Sequence, residues 1–124
     1  AVAEFLASHP KIAYVNYCGL PGDKYHAVAE KYLPNGSCGV VSFGVKGGRE
    51  AAAAFMGHLK IAAIETHVAD ARTCCLHPAS STHRQMNDEQ LIAAGVQPDL
   101  VRMSCGLEDK NDLIHDIAQA LDQI

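Results

Sequence analysis

Two apolar periods alternate along the whole chain, and that alternation limits the fold more than any other feature of the sequence. A period of two marks a half-buried strand, and a recurrence at i, i+3, i+4 and i+7 marks a helix with one apolar face. Residues 1–8 have the helical pattern, and KIAYVNY (11–17) reads as a strand closed by the turn GLPGD. In DKYHAVAEKYLPNG the residues Tyr25, Val28, Ala29, Tyr32 and Leu33 share one helical face, and Pro34 to Gly36 ends the pattern. CGVVSFGV (38–45) is a strand, KGG a turn, and REAAAAFMGHL a helix with Ala52, Phe55, Met56 and Leu59 on one side. IAAIETHV and TCCLH are short extended segments. NDEQLIAAG carries a capping box, Asn87 with Gln90, and a glycine stop at Gly95. DLVRMSC is the last strand, and DKNDLIHDIAQALDQI the closing helix, with Leu113, Ile114, Ile117, Ala118 and Leu121 aligned.

The strands are short and patterned on one side, unlike the continuous apolar runs of a doubly wound parallel sheet. The expected architecture is therefore a two-layer α+β domain, helices packed on one face of a small mixed or antiparallel sheet. No repeat, linker or low-complexity tract interrupts it, so residues 1–124 form a single domain, large enough to bury a core without metal or disulfides.

Charge excludes some functions. The net charge is −4, ten basic residues are spread singly, and tryptophan is absent, none of which suits a nucleic-acid surface. No apolar stretch approaches the roughly 20 residues that span a bilayer, so no membrane contact is expected. The chain opens AVAEFLASHP, without methionine or a basic leader, and reads as a soluble piece of something longer. Five cysteines without a CxxC fit a reducing cytoplasm.

Within PDLVRMSCGLEDKNDL (98–113) one arginine interrupts an apolar strand. Val101, Met103 and Cys105 point one way; Leu100, Arg102 and Ser104 point the other. A central arginine on the face away from the core suggests that this open face meets negative charge. HPASSTH (77–83) adds a loop of small and hydroxyl residues on which backbone can approach a ligand. The loose group His67, Cys74, Cys75, His77 and His83 has neither HxxxH nor CxxC spacing, so no metal site is assigned. A Cys/His nucleophile pair lacks an orienting third group. FGVKGGRE falls short of both phosphate-binding glycine motifs and reads as a left-handed turn into a helix.

The run from THVADARTCCLHPASSTH to RMSCGLEDKNDLIHDIAQAL, together with VNYCGL, KYLPNG and FGVKGG, closely resembles the C-terminal part of O-acetylhomoserine sulfhydrylases. These belong to the Cys/Met-metabolism family of pyridoxal-phosphate enzymes. The resemblance spans nearly the whole chain and implies the small, substrate-binding C-terminal lobe of a fold-type I enzyme. The cofactor lysine and phosphate cup would belong to a large domain outside these residues, so neither catalytic nor cofactor-binding residues are expected here and pyridoxal phosphate should not bind this chain alone. By motif, Arg102 would grip the substrate α-carboxylate, His67 would stand beside it where relatives often carry Asn or Ser, and Thr82 would support the pocket. The implied reaction is γ-replacement on O-acetylhomoserine, in which acetate leaves and sulfide or a thiol adds to give homocysteine, in methionine biosynthesis. Full-length relatives are commonly homotetramers. Two other readings remain open: a cystathionine γ-synthase or γ-lyase lobe, and a free-standing carboxylate-binding or regulatory module.

Overall fold

A computed structural model describes residues 1–124. In chain order it contains α1 (Val2–Ser8), β1 (Ile12–Asn16), α2 (His26–Tyr32), β2 (Val40–Val45), α3 (Gly48–His58), β3 (Ala63–Ile64) and β4 (Cys74–Leu76). A 3-10 turn (Pro78–Ser80), α4 (Asp88–Ala93), β5 (Leu100–Ser104) and α5 (Lys110–Asp122) complete it. The strands form one sheet in the order β1-β2-β5-β4-β3. The β1–β2, β2–β5 and β4–β5 pairs are antiparallel and β3–β4 is parallel, which makes the sheet mixed. Helices α1, α3 and α5 pack on one face, giving the two-layer α+β arrangement that the periodicity implies.

The core lies between that face and those helices. Val101 and Met103 of β5 and Phe43 and Val45 of β2 are fully buried against Leu6, Phe55, Ile117 and Leu121. The Phe43 and Phe55 rings meet edge to face with centroids 5.8 Å apart. Each such side chain contributes about 1.5–3 kcal/mol by leaving water. Cys75 joins this core, while its neighbour Cys74 points to the other face and lies 3.9 Å from Glu65.

Strict alternation in β1 would send Ile12 and Tyr14 to the same side. The pairing slips between them, so that Ile12 and Val15 both meet the core. Tyr14 lies instead over Gly44, where any Cβ would collide with its ring, and its hydroxyl donates to Asp99 Oδ1 at 3.2 Å.

Helix α2 forms where the apolar spacing places it, but only Ala29 on its apolar face is buried. Tyr25, Val28, Tyr32 and Leu33 are 46–67% exposed. The helix sits in the long β1–β2 connection, and its apolar stripe stays largely open to solvent.

The C-terminal helix is fastened by one buried carboxylate. Asp116 accepts from the backbone N–H groups of Lys60 (2.8 Å), Ile61 (2.9 Å) and Ala62 (3.1 Å), which turns the chain out of α3 and into β3. Replacing Asp116 by Ala leaves three backbone donors without their acceptor, at about 1–3 kcal/mol for each that water cannot reach. Urea denaturation should show Asp116→Ala destabilised by roughly 3 kcal/mol. A loss below about 1 kcal/mol would mean that solvent already serves these donors.

Candidate functional site

Arg102 sits in the middle of the central strand, with Ser42 of β2 and Leu76 of β4 as its cross-strand neighbours. Its guanidinium donates from Nη2 to the Thr66 carbonyl at 2.7 Å. Its Nε is buried and has no hydrogen-bond partner in the chain. None of the chain's ion pairs includes Arg102. A buried donor without an acceptor is costly, and the chain provides no carboxylate to meet it.

The face carrying Arg102 is more covered than an open sheet face would be: Ser104 is only 2% exposed. The cause is the parallel β3–β4 pair. Having left β3 at Ile64, the chain must come back across this face to start β4 in the same direction, and residues 65–73 form a strap over β4 and β5. The strap is pinned along its length. Glu65 N donates to Cys75 O at 3.1 Å, Ala69 N to Ser104 Oγ at 3.0 Å, and Leu107 N to Ala71 O at 2.8 Å. At its far end Glu108 receives both the Thr73 N–H (2.8 Å) and the Thr73 hydroxyl (2.7 Å), while Gly106 N donates to Thr73 Oγ1 at 2.9 Å. A Cβ at Gly106 would strike the backbone of Ala71–Thr73, so only glycine permits the crossing. Ala69 adopts φ 57°, a left-handed conformation that alanine rarely takes. Burial pushes the Glu108 carboxyl up, but its two bonds from Thr73 outweigh that and hold it below the ordinary carboxylate range.

His67 is on this strap, one residue past the carbonyl that Arg102 holds. Its side chain is 66% exposed, with Nδ1 3.1 Å from Glu65 and 3.9 Å from Asp70. Thr82 is exposed on the loop after the 3-10 turn, where its hydroxyl meets His83 Nδ1 at 2.8 Å. No hydrogen bond links Thr82 to Arg102 or His67. The structure thus gathers Arg102 and His67 at one strap and leaves Thr82 on a neighbouring loop, rooted beside Arg102 through Leu76.

That loop is held by Arg49, which the sequence did not single out, and by its own first residue, His77. Arg49, in the first turn of α3, donates to Asp88 Oδ1 through Nε (2.9 Å) and Nη2 (2.6 Å), to Ala79 O (2.6 Å) and to Met86 O (3.2 Å). His77 is 2% exposed, its Nε2 lies 2.8 Å from Pro98 O and its Nδ1 2.9 Å from Ser80 Oγ. A carbonyl only accepts, so Nε2 carries the proton and Nδ1 accepts from Ser80.

The family model described as "Cys/Met metabolism PLP-dependent enzyme" matches residues 1–122. The chain belongs to this family of pyridoxal-phosphate-dependent enzymes. It is 45% identical over 99% of its length to O-acetyl-L-homoserine sulfhydrylase of Leptospira meyeri and 44% identical over 98% to homocysteine synthase of Schizosaccharomyces pombe. It is also 40% identical over 99% of its length to L-methionine gamma-lyase of Fusobacterium nucleatum. A crystal structure described as O-acetylhomoserine (thiol)-lyase from Campylobacter jejuni, which contains pyridoxyl-lysine monophosphate, superposes with a TM-score of 0.87 at 38% identity. The match covers 98% of this chain and 29% of that one. The chain spans 28% of the Leptospira and Schizosaccharomyces proteins and 31% of the Fusobacterium protein.

The family's cofactor does not fit the residues of this chain. Lys11 is held by the carbonyls of Leu121 (2.7 Å) and Ile124 (2.6 Å), and Lys46 by Pro10 O (2.7 Å). Lys24 and Lys31 lie over the rings of their neighbours Tyr25 and Tyr32, and Lys60 and Lys110 are exposed. An imine-forming lysine needs an amine withdrawn from water and free to react, whereas these are exposed or held by backbone carbonyls.

Two outcomes follow for this chain. Mixed with pyridoxal phosphate, it should show no stoichiometric imine absorption band, and a band trapped by borohydride at a single lysine would relocate the cofactor site into these residues. Burial lowers the pKa of His77, assisted by the nearby positive charge of Arg49 and opposed by the Pro98 bond, so the folded ring stays neutral where an unfolded one takes up a proton. The contribution of His77 to stability is therefore present above its unfolded pKa of about 6.5 and lost as pH falls below it. Titration of the ring resonances by NMR should place the His77 midpoint below 6.5, and a midpoint above that value would contradict the buried neutral tautomer.

Proposed function

We propose that this chain is the substrate-binding C-terminal lobe of a pyridoxal-phosphate-dependent O-acetylhomoserine sulfhydrylase, a transferase that makes homocysteine by γ-replacement with sulfide or a thiol. The observation that carries this reading is the unsatisfied Nε of Arg102, in a guanidinium whose Nη2 is already held by the Thr66 carbonyl. A planar guanidinium can bind a carboxylate through two parallel charge-assisted hydrogen bonds, a geometry that lysine cannot reproduce. His67 flanks the bound amino acid from the strap, and Thr82 supports the pocket from its loop. The sulfhydrylase branch is favoured because relatives bearing that name or the name homocysteine synthase match at 43–45% identity. A γ-lyase activity on the same scaffold is the second reading, supported by the 40% match to the methionine enzyme.

In the whole protein the cofactor supplies the electron sink, from residues outside this chain. The residues here bind and orient. Fixing the α-carboxylate removes rotational freedom from the amino acid and presents its reacting carbons in one pose, which can lower a barrier by several kcal/mol. The full-length protein would be a cytoplasmic homotetramer in which the large cofactor domain closes the site. The five free cysteines accord with a reducing compartment.

Arg102→Lys in the full-length protein tests this reading. The side chain points away from Val101 and Met103, so the core should be undisturbed and Tm nearly unchanged. Loss of the bidentate clamp removes roughly 1.5–3 kcal/mol, or about ten- to a hundredfold in kcat/KM for O-acetylhomoserine. Cofactor content should hold. Unchanged kcat/KM, or a loss wholly explained by unfolding, would remove Arg102 as the carboxylate anchor.

A further inference from the structure

The two groups that fix the strap are buried or bonded on both carboxylate oxygens, yet neither has an assigned role in the reaction. Ser104 lies two residues after Arg102 on the same face of β5, and its hydroxyl oxygen is the acceptor for Ala69 N at 3.0 Å. Ala69 holds a left-handed backbone that is unfavourable for an alanine. Something must compensate for that conformation, and the bond to Ser104 is the contact made at that residue's own N–H. Glu108 fastens the other end through both Thr73 donors, next to the Gly106 crossing. Between these pins and the start of the strap at Glu65 stands Thr66, whose carbonyl is the single acceptor that the chain gives to the Arg102 guanidinium.

We infer that Ser104 and Glu108 are positioning residues for Arg102: they hold the 65–73 strap so that the Thr66 carbonyl turns the guanidinium toward an incoming carboxylate. This rests on the carboxylate reading of Arg102 and extends it to the groups that set its direction. Without the pins the strap relaxes, the Thr66 carbonyl moves, and Arg102 samples orientations that cannot present Nε and a second N–H together. The loss falls on capture of the carboxylate, so it appears in KM for the amino acid substrate. Neither residue touches the reacting carbons, so kcat changes little.

The test is a double-mutant cycle in the full-length holoenzyme, with Ser104→Ala and Glu108→Gln each made alone and on the Arg102→Lys background. Glu108→Gln keeps one of the two acceptors at a half-exposed position, and provides a second route should Ser104→Ala fold poorly. Expected for each single variant is a rise of about tenfold in KM for O-acetylhomoserine, kcat within about twofold, and full cofactor content. On the Arg102→Lys background the further rise should be less than about twofold, because the group being positioned is gone. Ser104→Thr, which keeps the acceptor oxygen, should restore most of the loss. Arg102→Lys raising KM while both strap variants leave it unchanged would overturn the inference alone, as would strap effects that multiply fully with that of Arg102→Lys. Arg102→Lys leaving KM unchanged would remove the carboxylate reading and the inference together.

Discussion

Everything in this domain is arranged around the double obligation of β5. As the third strand of five it is hydrogen-bonded on both edges, and it is covered on both faces as well, by helices over Val101 and Met103 and by the strap over Arg102 and Ser104. A strand so enclosed leaves little water for the buried polar atoms of its side chains. Ser104 meets this demand with a backbone N–H, and Arg102 meets it partly with a carbonyl. The one donor left over is the Arg102 Nε. The functional proposal therefore grows out of a packing fact: a cation has been placed where its surroundings satisfy it incompletely.

The strap shows how covering and aiming are combined. Had β3 and β4 been antiparallel, a tight hairpin would join them and the Arg102 face would stay bare. The parallel pair forces a return crossing, and the crossing brings the Thr66 carbonyl to Arg102 and, one residue on in the chain, carries an exposed imidazole with two carboxylates around it. Such a stretch has little regular structure of its own, so its shape is dictated by its attachments. Those attachments belong to the segment just after Arg102: Ser104, Gly106, Leu107 and Glu108.

The regular parts of this arrangement are visible in the amino-acid order because regular structure has a period. The apolar face of α3, the inward set of β5, the Asn87–Gln90 capping box and the left-handed glycines at 47, 48 and 95 coincide with their motifs, and the face of α5 does so except that Ala120 is buried in place of Ala118. Arg102 stands out because a charge in an apolar strand breaks a pattern. Ser104, Glu108 and Arg49 break none. Ser104 and Glu108 find their partners 35 residues away in backbone groups or a small hydroxyl, and a backbone N–H has no signature in sequence. The slip in β1 and the shortness of β3 are hidden for a similar reason, since each depends on which strand lies alongside.

Helix α2 separates two kinds of information in the same chain. Its amphipathic spacing is as regular as that of α5, yet Tyr25, Val28, Tyr32 and Leu33 add almost nothing to the core of residues 1–124. Polar replacements along that stripe would pass unnoticed in any selection for the folding of this chain alone. A stability screen of the isolated domain and a growth screen of the whole protein would thus draw different maps over α2, while agreeing over α5.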